Sequence, residues 1–135
     1  MTTWSEVYDY AREFGAKFPE CVAAQFALES GYGKHVSGKN NFFGIKGTPG
    51  TTVSTQEWDG SKFITIQATF KDFATPALCI KYLVDHWYKD FNHHKGVNRA
   101  RTAEECAHLL QQEGYATDPN YPAKLIKLFG EGCLW

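Results

Sequence analysis

The chain lacks a surplus of either charge: 14 Lys and Arg stand against 15 Asp and Glu, giving a formal net charge of −1 and a pI near 6.5. Phosphate binding asks for a basic excess, so a nucleic-acid module is excluded. No stretch approaches the roughly 18 consecutive apolar residues of a membrane span, and Met1 to Glu6 carries neither a basic nor an apolar leader segment. The expectation is a chain made in a cytosol without a signal peptide and without membrane insertion. Cysteine is sparse. Cys21, Cys79, Cys106 and Cys133 include no C-x-x-C pair, and the one His at a close offset is His108, two residues after Cys106. No structural metal is expected, and Cys21, Cys79 and Cys106 read as reduced, half-buried helix residues. Internal repeats and low-complexity tracts are also missing, which removes solenoids and flexible linkers.

Rings, by contrast, are abundant. Four Trp, seven Tyr and ten Phe sit in 135 residues that are 43% hydrophobic. That is enough apolar material for one domain, taken as residues 1–135, to build a core without staples. It is also more aromatic surface than packing alone requires, which points to a groove for flat ligands with apolar faces, such as sugar rings or bases.

Hydrophobic spacing organises the chain. Thr3-x-x-Glu6 is a capping box, and Trp4, Val7, Tyr8, Ala11 and Phe14 follow at helical intervals, predicting a helix to about Lys17. Pro19 opens a second helix over about 19–30, terminated by Gly31. A glycine-rich stretch from Gly31 to Gly50 then carries Asn40-Asn41 and Phe42-Phe43, the composition of a functional loop. Thr51 to Trp58 and Lys62 to Phe70 read as strands of a hairpin around Asp59-Gly60, with Ile64, Ile66, Ala68 and Phe70 on one face. Thr75-Pro76 starts a long amphipathic helix ending near Asn92, a second capping box, Thr102-x-x-Glu105, starts a helix that stops at Gly114, and a last helix carries Leu125, Ile126 and Phe129. Trp4, Phe14, Trp87, Phe91 and Phe129 recur at helical spacing and are expected in the core. The fold class is α+β: a mostly helical body with one small β-hairpin lobe.

Glu29 stands in the last turn of the second helix. The negative end of the helix dipole and burial beside Phe26 and Tyr32 both disfavour a charged carboxylate there. Two readings follow from the physics: a solvated helix-end Glu, or a carboxylic acid kept protonated near neutral pH, as a general acid requires.

The string Ala24-Gln25-Phe26-Ala27-Leu28-Glu29-Ser30-Gly31-Tyr32-Gly33-Lys34, followed by Asn40-Asn41-Phe42-Phe43-Gly44-Ile45-Lys46-Gly47, resembles the signature of the bacterial and phage glucosaminidases of glycoside hydrolase family 73, which include the flagellar peptidoglycan hydrolase domain. The likeness continues through Thr55-Gln56-Glu57-Trp58, Ala68 to Phe73 and Gly114-Tyr115-Ala116-Thr117-Asp118-Pro119-Asn120-Tyr121, spanning about residue 5 to residue 129. It implies a lysozyme-like fold and cleavage of the N-acetylglucosaminyl-β-1,4-N-acetylmuramic acid bond of peptidoglycan by an endo-β-N-acetylglucosaminidase. Glu29 then takes the place of the general acid. A muramidase or lytic transglycosylase on the same scaffold, or an inert wall-binding domain, are the alternatives. A wall-acting chain without an export signal would be released by a holin, carried in a virion or delivered by a secretion system. The resemblance implies no cofactor and no metal, and a monomer is expected.

Glycoside hydrolysis commonly pairs the acid with a second carboxylate. Alternation puts Glu57 on the strand face of Val53 and Thr55, and it matches the position of the family's second Glu near the hairpin tip. A substrate-assisted route would leave it an orienting or electrostatic role. Asp59 reads as turn chemistry and Asp72 as a loop or cap acid. Tyr115 corresponds to a family tyrosine facing the acid. Asn41 and Phe43 in the loop, Trp58 beside Glu57, and Tyr121 are the candidate sugar contacts, with core packing the competing role for Tyr121. His93-His94 lacks a third metal ligand in register, and Lys95, Arg99 and Arg101 read as a solvated basic loop.

Overall fold

The computed structural model describes residues 2–91 and 95–131. Among the described residues five α-helices pack together and one hairpin stands beside them: α1 (Trp4–Phe14), α2 (Pro19–Ser30), β1 (Gly50–Trp58), β2 (Phe63–Lys71), α3 (Pro76–Leu83), α4 (Ala103–Gln112) and α5 (Tyr121–Glu131). His93, His94 and Cys133 lie outside the described residues.

Helix starts follow their sequence signals. The Thr3 side chain accepts from the Glu6 amide at 3.2 Å, and the Glu6 carboxylate accepts from the Thr3 amide at 3.1 Å. At α4 only half of the expected box forms. Thr102 caps Glu105, but the Glu105 carboxylate accepts from the Arg101 amide instead of that of Thr102. Helix ends moved more. α1 stops at Phe14 rather than about Lys17, because Gly15 adopts the left-handed conformation at φ 108° and its amide closes the last turn on Ala11 and Arg12. The helix predicted to reach Asn92 runs regularly only to Leu83, widens into a π turn over Val84–Tyr88, and ends where Lys89 becomes extended. Phe91, expected in the core, is consequently 40% exposed.

α2 is the centre of the body. Nine of its residues are buried around its whole circumference, and α1 and α5 pack against it. Its one buried amide, Gln25, is satisfied on both sides: the Tyr88 hydroxyl donates to its carbonyl oxygen, and its NH2 donates to the Tyr121 hydroxyl at 3.2 Å. Cys21, Cys79 and Cys106 are free thiols and fully buried, not half-buried as expected. Burial pushes the Cys79 thiol up to about 12, so it is an inert core group.

β1 and β2 are antiparallel in the register Gly50↔Lys71 through Trp58↔Phe63, within a residue of the sequence bounds. The tip is closed by Asp59, whose carboxylate accepts from the Ser61 and Lys62 amides at 2.9 and 2.8 Å; these bonds hold its pKa below the ordinary range. Burial along β2 rises from the exposed Ile64 to Phe70 at 5%, so the hairpin is buried at its base and solvent-exposed toward its tip.

Asn41 makes that root. Its NH2 donates to the carbonyls of Ile45 and Lys71, each at 2.8 Å, and its carbonyl accepts from the amides of Phe43 and Ile45 at 3.3 and 3.1 Å. Every donor and acceptor site of the side chain is thereby used, at 1% exposure. The expectation that Asn41 contacts a ligand is corrected: the side chain binds its own loop to the end of β2. Asn41→Ala leaves several buried backbone groups unpaired and is expected to lower unfolding stability by about 3 kcal/mol, read as a shift in the urea midpoint.

Candidate active site

Glu29 is placed by the closure of α2. Ser30 donates to the Phe26 carbonyl at 2.6 Å and accepts from the Gly33 amide at 2.9 Å, while Gly31, left-handed at φ 56°, ends the helix. The Glu29 side chain opens onto a cleft of about 720 Å³ between the helical body and the hairpin. By surface area Glu29 is exposed to the cleft, so the crowding that desolvates its carboxylate comes from the concave walls around it and not from burial in the core. One of those walls is Gly44. A Cβ there would stand 3.4 Å from Glu29 Oε2, and the φ of 66° also suits glycine.

This environment raises the Glu29 pKa from 4.5 to about 7. Desolvation is the largest cause, the negative charge of Glu57 adds to it, and Lys124 partly opposes both. Lys124 itself is held 2.6 Å from Asp118, which moderates its effect. The side chain is open to the cleft, yet the walls around it and the charge of Glu57 favour the protonated acid over a freely solvated helix-end carboxylate.

Glu57 lines the same cleft from β1, and its carboxylate pairs with Lys46, whose backbone bridges to Phe70 on β2. The second carboxylate is therefore tethered from the loop side, not loose at a strand end. Tyr115 completes the group. Its hydroxyl donates to the Phe43 carbonyl at 2.8 Å, its ring meets Trp87 edge-on at 5.0 Å, and Tyr121 lies 5.9 Å away. Burial first, and then the charge of Glu29, push its phenol well above the ordinary range, so it stays protonated. Over the cleft, the Thr117 hydroxyl donates to the Trp58 carbonyl at 3.4 Å, linking the hairpin tip to the loop before α5.

The expected sugar contacts divide. Trp58 lines the cleft, half-buried, with Phe63 against its edge at 5.1 Å. Phe43 and Tyr121 reach the lining but are 1% and 3% exposed, so neither offers a stacking face; they are chiefly core residues. Asn41 and Tyr32 are not part of the cleft wall. Sequence reasoning missed Lys46, Gly44, His86 and Trp87. Helical spacing assigned Trp87 to the core; it does pack against the core, half-buried, and within the π turn it and His86 also line the cleft. Lys46 had one available signal, a cation in the same glycine-rich loop that follows the acid. Among the described residues no group of three or more His, Cys, Asp or Glu could hold a metal ion.

A helical body, a hairpin lobe and a cleft between them with an elevated-pKa Glu on one wall and a second carboxylate on the other define a lysozyme-like fold with the equipment for acid chemistry. Comparison with known proteins narrows the class. Residues 4–132 match the glucosaminidase family profile, described as mannosyl-glycoprotein endo-β-N-acetylglucosaminidase. The peptidoglycan hydrolase FlgJ of Salmonella typhimurium is 33% identical over 118 residues, covering 79% of this chain and 37% of that protein. The exo-glucosaminidase LytG of Bacillus subtilis is 34% identical over 121 residues, covering 79% and 41%. The solved glycoside hydrolase domain of the Salmonella FlgJ superposes with a TM-score of 0.70 at 28% identity, covering 97% of this chain and 95% of that one. The chain belongs to the glucosaminidase family of glycoside hydrolases. It spans about two fifths of the length of these curated relatives.

Two outcomes test the electrostatics. Glu57→Gln removes a negative charge facing Glu29, so the Glu29 carboxyl is expected to titrate at lower pH than in the wild type, read by NMR of the side-chain carboxyl. Because the folded pKa of Glu29 lies above its unfolded value, its protonation favours the folded state fully below about 4.5, and that contribution is lost as pH rises through about 7. Glu29→Gln, which carries no charge, is therefore expected to gain stability relative to wild type between pH 4.5 and 8. Urea midpoints that track each other across this range would contradict the assignment.

Proposed function

We propose that this domain hydrolyses the glycan strand of peptidoglycan, cutting the β-1,4 bond between N-acetylglucosamine and N-acetylmuramic acid, with Glu29 as general acid. The observation that carries the reading is the cleft itself, which Glu29 and Glu57 line together, and whose surroundings raise the Glu29 pKa to about 7. A Glu protonated near pH 7 can deliver its proton to the glycosidic oxygen as the bond breaks, where an ordinary carboxylate could not. The names of the relatives, a peptidoglycan hydrolase and an exo-glucosaminidase, support the substrate class.

The remaining residues take roles that fit their contacts. Glu57, held by Lys46, keeps a negative charge in the cleft that sustains the proton on Glu29 and stabilises positive charge developing on the sugar ring. Tyr115 spends its only proton on the Phe43 carbonyl, which leaves its oxygen as an acceptor for an acetamido N–H. The same bond fixes the loop carrying Gly44 beneath the acid. Trp58 supplies a ring for a sugar face from the hairpin side.

Digestion of purified sacculi, followed by borohydride reduction and mass spectrometry, is expected to reveal reducing ends on N-acetylglucosamine. Reducing ends on N-acetylmuramic acid, or anhydro ends, would assign the bond differently. Glu29→Gln is expected to lower kcat by about 10²-fold or more while binding persists. The wild-type rate should fall as pH rises through about 7, when Glu29 loses its proton.

A further inference from the structure

The cleft does not end at Glu29. Past Tyr82 and His86 it continues into a shallower side groove of about 360 Å³, and those two residues form walls of both. The junction falls in the π turn, whose consecutive residues His86 and Trp87 both line the cleft.

The rings at the junction are committed to one another. His86 stacks on Tyr82 at 3.9 Å and 20°, and Phe91 lies 4.3 Å from His86. His86 Nδ1 stands 2.8 Å from the Tyr82 carbonyl, which can only accept, so Nδ1 carries a proton and Nε2 is the ring's other polar atom. On Tyr82, Lys71 Nζ lies 5.4 Å from the ring centroid. With its ring faces occupied in this way, the groove is poorly suited to stacking a further sugar.

Its other walls suit a different ligand. Leu78, 49% exposed, gives an apolar surface, continued by the exposed Ala74 over the buried Phe73. Charges of both signs stand around it. Lys81 pairs with Asp85 at 2.7 Å, Asp72 accepts from the Lys39 amide and the Thr51 hydroxyl at 2.9 and 3.0 Å, and Lys71 donates to the Thr48 carbonyl with no carboxylate partner among the described residues. A small apolar strip rimmed by cations and carboxylates is complementary to a short peptide carrying both amino and carboxyl groups.

We propose that the side groove binds the peptide branch of a peptide-bearing glycan strand whose sugars occupy the main cleft. This rests on the reading of peptidoglycan as substrate, and it makes Leu78 and Lys81 specificity residues remote from Glu29.

The test uses glycan strands from one sacculus preparation, divided in two, with the peptides stripped from one half by an amidase. Wild-type kcat/KM, read as new reducing ends, is expected to be about 5-fold or more higher on peptide-bearing strands. Lys81→Met and Leu78→Ser are expected to bring that ratio within about 2-fold of unity, while Lys127→Met, on the exposed side of α5, keeps it. Equal wild-type cleavage of the two substrates, or a ratio unchanged by both groove variants, overturns the peptide groove and leaves the glycosidase reading standing. Cleavage of neither substrate by the wild type overturns that reading, and the groove with it.

Discussion

Burial of α2 on all sides is the constraint from which the rest of the structure follows. A helix packed around its whole circumference has no solvent-facing stripe to carry chemistry, so only its ends meet water. Each fully buried Val or Phe in it, such as Val22 and Phe26, stabilises the fold by about 1.5–3 kcal/mol relative to exposure, which locks the helix in place. Its last turn is then a rigid mount. Glu29 leaves that turn at a fixed position, with Ser30 and Gly31 closing the backbone behind it.

The hairpin lobe has the opposite character. Its tip is largely exposed and meets the body through the Thr117 hydroxyl on the Trp58 carbonyl, and its base is held where Asn41 joins the loop to Lys71 at the end of β2. That one amide also shapes the turn that brings Gly44 against Glu29 and the Phe43 carbonyl to Tyr115. Rigid mount and tethered lobe together make a cleft with one fixed carboxylate and one reached through a strand, Glu57, steadied by Lys46. The electrostatic coupling of the two carboxylates depends on this arrangement, because a hairpin swung outward would withdraw the charge that helps to raise the Glu29 pKa.

Much of this was legible in the chain. The capping box at Thr3, Pro19 and Gly31 around α2, and Asp59-Gly60 at the hairpin tip act through local backbone chemistry, and the structure has each element within a few residues of its expected place. The failures have two causes. Phe91 obeys helical spacing, but periodicity assumes 3.6 residues per turn, and the π turn at Val84–Tyr88 breaks that count. Asn41 carries the polarity of a ligand contact, yet polarity does not say whether an amide is met by a sugar or by its own backbone.

By itself the sequence determined the element order, the placement of Glu29 in the final turn of a buried helix, and the aromatic surplus, since capping, turn preference and hydrophobic spacing operate over a few residues. Tertiary structure decided which rings reach the cleft and which are spent in the core, that Lys46 holds Glu57, and that the walls around Glu29 exclude enough solvent to lift its pKa to about 7. Desolvation and charge pairing depend on distances between segments far apart in the chain, and these exist only once the helices and the hairpin have closed around one another.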